Sequence, residues 1–159
     1  MKSFWEIPGV HFDETWAPTC RIKSLRQAFE WAVRNGCNFC KIDVKTAFLN
    51  APITVPIYVS WQDSFGRTHY ARLKKSLYGL KQAPRDWHEQ VSKRIDEMGF
   101  EKSIVDSCLS TKKVDEKIIL VLLVHVDDFI IFYKDTKWKD FVINNFSKTW
   151  TIKEVKDEN

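Results

Sequence analysis

The stretch IILVLLVHVDDFIIFY, from Ile118 to Tyr133, is almost entirely apolar, yet Asp127 and Asp128 stand side by side in it. Two strand-like runs flank the pair, a pattern that predicts a tight β-hairpin with both aspartates at or beside its tip. A solvated turn suits an ordinary Asp-Asp sequence. The buried-type apolar flanks favour a divalent cation instead, because an unpaired buried carboxylate is costly and a cation neutralises it with oxygen ligands.

The rest of the chain mixes helices and strands without a regular strand–helix alternation. Three helices are predicted from apolar residues at helical spacing. The first is capped by Ser24 and ends at Gly36, and its apolar stripe consists of Leu25, Ala28, Phe29, Ala32 and Val33. The second starts at Pro84, with a stripe of Trp87, Val91, Ile95 and Met98, and the third has a stripe of Trp138, Phe141, Val142 and Phe146. Strands are predicted around CNFCKIDV, PIYVSW, THYARL, IVDSCLST and TWTIKEV. The order predicts an α+β fold, with helices packed on one face of a mainly antiparallel sheet.

Composition narrows the class of protein. The 159 residues fit one domain, and 44% apolar with 29% charged residues is typical of a globular chain. The net charge of +4 does not by itself indicate nucleic acid. The apolar run is too short to span a bilayer, and no signal peptide is recognisable, so we expect a soluble, intracellular protein without a membrane partner. The four cysteines, Cys20, Cys37, Cys40 and Cys108, are predicted to be buried free thiols.

A third carboxylate completes the pattern. Asp43 follows the strand candidate NFCKI, far from the Asp127–Asp128 pair in sequence. Carboxylates brought together from two strands could hold two Mg²⁺ ions, which activate an attacking hydroxyl and stabilise a leaving phosphate oxygen. Backbone N–H groups of Thr46 and Ala47, at the start of a predicted helical turn, are natural donors to phosphate.

Three motifs in order and spacing, KIDVKTAFLN, LKKSLYGLKQAPRDWHE and LLVHVDDFIIF, closely resemble the reverse transcriptase of copia-type LTR retrotransposons. The resemblance runs from HFDETWAP, at residues 11–18, to the C-terminus. It implies a right-hand polymerase palm and RNA-directed DNA polymerase activity. The implied cofactors are two Mg²⁺ ions, with Mn²⁺ as an alternative. The implied partners are an RNA template, a DNA primer, dNTPs and the rest of a Pol polyprotein, in the cytoplasm within a virus-like particle.

The resemblance also assigns roles to residues of the first and third motifs. Asp43 and Asp127 would be the main metal ligands, with Asp128 supporting them and Val44 adding a backbone carbonyl. Thr46 and Ala47 would hold the triphosphate through backbone groups. Phe48 falls where such enzymes place a ring under the deoxyribose to exclude a 2′-hydroxyl; simple packing of the palm is the alternative for this ring.

Template and primer contacts are implied for the loop LYGLKQAPR and for the residues before the aspartates. The residues concerned are Tyr78, Gly79, Lys81, Pro84, Arg85, His125 and Val126. His125 stands where the family usually has Tyr; a hydrogen-bonded core histidine is the alternative. Basic residues nearby, with Tyr70 and Tyr78 interleaved, suggest stacking surfaces, or else an ordinary basic edge strand: Arg67, Arg72, Lys74 and Lys75.

The resemblance predicts how the chain is organised. Residues 1–11 form an atypical N-terminal segment, and residues 12–159 form the palm with part of the fingers, ending before the primer grip, thumb and ribonuclease H. Two hypotheses follow: a working polymerase, or an inactive retroelement relic that retains only metal or nucleic-acid binding. A third, an unrelated α+β protein whose Asp pair is a structural turn, does not account for three ordered motifs.

Overall fold

A computed structural model describes Gly9 and residues 15–53 and 55–155. The segment 1–11, predicted to be atypical, lies outside the described residues except for Gly9. The chain divides into two compact units. One, which we call the sheet unit, comprises Pro18–Lys45 and Val91–Asn159; the other, the ribbon unit, comprises Thr46–Gln90 and the residues up to Ala17.

The described residues form three helices, one 3₁₀ turn and eight strands. In chain order they are α1 (Ile22–Asn35), β1 (Asn38–Val44), the 3₁₀ turn (Ala47–Asn50), β2 (Tyr58–Gln62), β3 (Thr68–Arg72), α2 (Ala83–Glu97), β4 (Glu101–Lys102), β5 (Leu109–Val114), β6 (Lys117–His125), β7 (Asp128–Tyr133), α3 (Thr136–Ser147) and β8 (Ile152–Val155). Six strands form one sheet in the order β4-β5-β6-β7-β1-β8, and β2 pairs with β3. Every neighbouring pair is antiparallel. The predicted α+β fold with an antiparallel sheet is confirmed.

The hairpin predicted around the aspartates is the centre of the sheet. Strands β6 and β7 pair as far as His125 and Asp128, which leaves only Val126 and Asp127 in the turn. The strands form here because the apolar runs can be buried on both sides: Leu122 and Ile131 on one face are 0% exposed, and Leu123 and Phe132 on the other are 2% and 0% exposed.

Helices cover both faces of the sheet, whereas the sequence pattern placed them on one. On one face, Phe29 of α1 packs edge-on against Phe132, with ring centroids 5.0 Å apart. On the other, Phe146 of α3 packs against Phe129 at 5.1 Å. Phe129 and Phe132 are three apart on one strand and therefore point to opposite faces. A strand buried on both faces reads as a continuous apolar run, as β6 does, whereas alternation marks a sheet with only one covered face.

The start of α1 differs from the prediction. The helix begins at Ile22, so Ser24 is inside it and is not its N-cap. Ser24 is buried and instead donates a hydrogen bond to the carboxylate of Asp106. Val33 is 80% exposed and so is not part of the apolar stripe. Gly36, with φ of 62°, ends the helix in the left-handed conformation as predicted.

The ribbon unit has its own small core. Ile57, Leu80 and Ala83 are buried together, with further apolar side chains packed around them, namely Phe48, Ile53, Val55, Leu73 and Leu77. The β2–β3 ribbon extends from this core, and the chain reverses through a turn at Asp63–Arg67.

All four cysteines are free thiols. Cys40 and Cys108 are buried as predicted, while Cys20 and Cys37 are only half-buried. Burial raises the pKa of Cys40 to about 11 and that of Cys108 to about 12, so both remain protonated and unreactive at neutral pH. Among the described residues, no helix has the length and apolarity needed to cross a bilayer.

Candidate active site

Four polar residues form a row across the end of the sheet. His125 is the cross-strand partner of Asp128, Asp128 that of Asp43, and Asp43 that of Lys153. Directly opposed residues of antiparallel strands project to the same face. The row therefore reads His–Asp–Asp–Lys across β6, β7, β1 and β8, and brings together two aspartates that are distant in sequence.

The hairpin turn is fixed to β1 beside this row. The backbone N–H of Val44 donates to the carbonyl oxygen of Asp127 at 3.0 Å. Val126 has a φ of 58°, a left-handed conformation that a β-branched side chain rarely adopts. Asp127 is half-buried in this constrained turn, which lies beside the end of β1, the strand that carries Asp43.

Lys41 is a member of the site that sequence reasoning missed. Its Nζ lies 2.9 Å from Oδ2 of Asp128, and both side chains are partly exposed. Lys41 precedes Asp43 by two residues on β1, so it shares that face and reaches Asp128 diagonally. A cavity of about 310 Å³ opens beside this ion pair, lined also by His125 and by apolar side chains such as Leu25 and Ile130.

The donor set of this region fits a hard divalent cation by type. Carboxylate oxygens of Asp43 and Asp127 and the backbone carbonyl of Val44 are the oxygen ligands that Mg²⁺ prefers. Within residues 15–53 and 55–155, no three His, Cys, Asp or Glu side chains are grouped closely enough to bind a metal. The carboxylate of Asp128 is engaged by Lys41, which favours a supporting role for it.

The residues predicted to bind the nucleotide lie at the beginning of the ribbon unit. Thr46 has a φ of 53° and its carbonyl accepts from the N–H of Leu49 at 2.9 Å, which starts the 3₁₀ turn. Ala47 is fully buried. The rings of Phe48 and Tyr78 are in contact, with centroids 4.5 Å apart. The structure therefore joins Phe48 of the first motif to Tyr78 of the second, a pairing that the sequence did not predict.

The remaining loop residues also belong to the ribbon unit. Gly79 has a φ of 99°, a conformation that requires glycine, and Lys81 is exposed. Pro84 lies in the first turn of α2, one residue later than predicted. Arg85 pairs with the buried carboxylate of Asp86 at 3.1 Å and lies 3.6 Å from Glu89. Part of the Arg85 charge is therefore neutralised within the chain.

Comparison with known proteins gives the family. Residues 1–158 match the model of the family described as "Reverse transcriptase (RNA-dependent DNA polymerase)". The chain belongs to this family.

Its relatives include Pol polyproteins of plant transposons. This reverse transcriptase chain is 32% identical over 159 residues to the retrovirus-related Pol polyprotein from transposon TNT 1-94 of Nicotiana tabacum. The alignment covers 98% of the chain and 12% of that protein. It is 33% identical over 160 residues to the Pol polyprotein from transposon RE2 of Arabidopsis thaliana, covering 98% of the chain and 11% of that protein. The resemblance to copia-type elements is confirmed, and the chain spans only about a tenth of the length of these relatives.

A solved structure supports the fold. A telomerase from Candida albicans, in complex with the TWJ fragment of telomeric RNA, matches with a TM-score of 0.52 and 11% identity, over 93% of this chain and 32% of that one. At this identity the likeness shows the fold alone, and it confirms the palm-like polymerase architecture.

Proposed function

We propose that this reverse transcriptase domain transfers dNTPs to a primer 3′-hydroxyl by two-metal catalysis. One observation carries the proposal: the backbone of the Asp127 turn is bonded to Val44, while Asp43 and Asp128 are direct cross-strand partners. Backbone pairing thus places three aspartates from two distant motifs at the same end of the sheet. In a chain of this family, that is the arrangement a metal-dependent nucleotidyl transfer needs.

The residues of the site would have different roles in metal binding. Asp43, Asp127 and the carbonyl of Val44 would hold Mg²⁺, with Mn²⁺ as an alternative ion. When bound, the ions lower the pKa of the attacking hydroxyl and stabilise the leaving phosphate oxygen. Asp128, paired with Lys41, supports the site.

The other assignments extend the site along the chain. Thr46 and Ala47 would hold the triphosphate, and Phe48, supported by Tyr78, would contact the sugar. Residues 12–159 would form the palm and part of the fingers. Template and primer would contact the second motif and the hairpin through Tyr78, Gly79, Lys81, Pro84, Arg85, His125 and Val126. The proposed partners are an RNA template, a DNA primer and the rest of a Pol polyprotein.

Primer extension tests the proposal. The purified chain is given an oligonucleotide-primed RNA template, dNTPs and Mg²⁺. We expect Asp43→Asn and Asp127→Asn to lose extension by about 100-fold or more, as when a preorganised electrostatic group is removed from a site. Asp128→Asn should lose less, because Asp128 only supports the metal ligands.

The matched control is Asp140→Asn, which removes an exposed carboxylate from α3. It should extend the primer like the unmodified chain. If the Asp43→Asn and Asp127→Asn variants extend the primer as well as the unmodified chain does, catalysis at these carboxylates is rejected. The alternative, a chain that only binds metal or nucleic acid, would then stand.

A further inference from the structure

The β2–β3 ribbon has two unlike faces. Val59 and Ala71 are cross-strand partners and both are half-buried, on the face that continues into the small core through Ile57. The opposite face carries Tyr58 and Tyr70, which are 68% and 77% exposed. Two large rings thus stand in solvent on the face opposite Val59 and Ala71, whose own outer part carries Trp61, 49% exposed and stacked on His69.

We infer that this face, defined by Tyr58, Ser60, Tyr70 and Arg72 and here called the tyrosine face, binds single-stranded nucleic acid by stacking bases on its rings. The inference rests on the proposed function and adds to it a surface for the unpaired template. Every base has a π-face, so aromatic platforms beside cations bind single strands with little sequence preference.

The arrangement of the face suits this partner. Tyr58 is opposite Arg72 and Tyr70 is opposite Ser60, so the two rings occupy diagonal positions. Diagonal residues are about 7–8 Å apart, which makes the rings separate platforms rather than one stacked pair. The small Ser60 beside Tyr70 leaves room over that ring, and Arg72 places a cation next to Tyr58.

The charge around the tyrosine face is positive. Neither strand of the ribbon contains an acidic residue. Lys74 and Lys75 follow Arg72 and are exposed. The one carboxylate of the connecting turn, Asp63, is already bound by Arg67 at 3.3 Å and by His69 at 3.0 Å. A nucleic-acid backbone that approaches the ribbon therefore faces cations, and the ribbon has no free carboxylate that would repel it.

The turn presents a third ring. Asp63 Oδ1 accepts from the N–H groups of Phe65 and Arg67, each at 2.9 Å, which holds the turn in one conformation. Phe65 is 79% exposed, and the Arg67 guanidinium lies 5.1 Å from its ring centroid. A fixed, exposed ring beside a cation repeats the chemistry of the tyrosine face at the tip of the ribbon.

Exposed rings also occur at protein interfaces, but the charges beside these rings favour nucleic acid. Arg72 lies opposite Tyr58 and Arg67 lies over Phe65, and rings beside cations match the bases and phosphates of a single strand. Association with another polypeptide, including a second copy of this chain, is the competing outcome.

The test is fluorescence anisotropy with a labelled 12-nucleotide oligo(U) and the purified chain. We expect Tyr58→Ala and Tyr70→Ala each to raise the Kd about tenfold, the loss expected for one stacked ring. Tyr58→Phe and Tyr70→Phe keep the ring and should bind like the unmodified chain. Arg72→Gln should reduce the slope of log affinity against log salt by about 0.7.

Two further measurements decide between the outcomes. A duplex of the same length should be insensitive to Tyr70→Ala, because its bases are already stacked. Asp43→Asn should leave oligo(U) binding unchanged even if it abolishes extension, so this inference and the proposed function fail separately. Unchanged Kd values for both alanine variants would overturn the inference. A dimer in sedimentation velocity that Tyr70→Ala dissociates would also overturn it, by making the face a protein interface.

Discussion

Val126 is a residue at which the site stores backbone strain. A β-branched side chain at φ of 58° is unfavourable, and such residues cost about 1–3 kcal/mol each. Glycine adopts this conformation freely but loses about 0.5–1 kcal/mol of chain entropy on folding. We therefore expect Val126→Gly to raise the free energy of unfolding by about 1 kcal/mol, measured by urea titration.

Val114 provides the matched control for this substitution. It is an exposed valine at the end of β5, immediately before another hairpin turn. Its φ is not positive, so Val114→Gly should lower stability by about 0.5–1 kcal/mol. If both glycine variants destabilise equally, the turn at Val126 is not strained.

At the scale of single residues, sequence predicted the acidic part of the site and missed its basic part. Asp127 and Asp128 were recognisable because carboxylates between apolar runs are costly. Lys41 was not, because its ion pair with Asp128 depends on the register of β1 against β7. No local pattern encodes a diagonal contact between strands that are more than 80 residues apart in a chain of 159.

At the scale of elements, one carboxylate joins α1 to the sheet. Asp106, just before β5, accepts from the backbone N–H of Arg21 at 3.0 Å and from that of Cys108 at 3.0 Å. Burial by itself raises the pKa of Asp106, but hydrogen bonds from Ser24, Arg21 and Cys108 outweigh it, so the pKa is lower than usual. The ionised form is thus the one that stabilises the fold.

Asp106→Asn should lower the free energy of unfolding by about 2 kcal/mol at pH 7, because one acceptor is lost and a buried N–H is left unpaired. The pKa in the folded chain lies below the unfolded value of about 3.9, so the unfolded chain takes up the proton first. The difference between the two proteins should therefore persist above about pH 4 and shrink as the pH falls below it. Thermal unfolding from pH 3 to 7 measures this.

Asp96→Asn is the control for that series. Asp96 is an exposed partner of Lys102, an ion pair at the surface that contributes little. Its substitution should change stability only slightly at every pH. A loss for Asp106→Asn that stayed constant down to pH 3 would contradict the ionic origin of the effect.

The hydrogen bonds of Asp106 also explain why the predicted start of α1 was wrong. Helix periodicity located α1 and its glycine end, but a serine near the start was taken for a cap when it is a partner of Asp106. The preference of serine for helix starts is local, whereas this hydrogen bond crosses 82 residues from Ser24 to Asp106. The covering of both sheet faces, by contrast, is written in β6 itself, because a strand with one solvated face would alternate apolar and polar residues and this one does not.

At the scale of the whole molecule, the proposed metal site should couple to global stability. A ligand that binds only the folded chain stabilises it by RT ln(1 + [L]/Kd), which is about 1.4 kcal/mol at ten times the Kd. For a chain of this length, that raises the Tm by about 4 °C. We expect Mg²⁺ to produce such a rise in a thermal shift experiment at constant ionic strength. Because the readout is unfolding, it does not require the chain to extend a primer.

Variants assign that rise to the carboxylates of the sheet end. Asp43→Asn and Asp127→Asn should each abolish it, because each removes a direct ligand, whereas Asp140→Asn should retain it in full. Asp128→Asn should retain part of it, since Lys41 already neutralises that carboxylate. A rise of the same size in all four variants would mean that Mg²⁺ binds elsewhere on the chain. Two-metal chemistry at Asp43 and Asp127 would then lose its structural basis, whatever the result of primer extension.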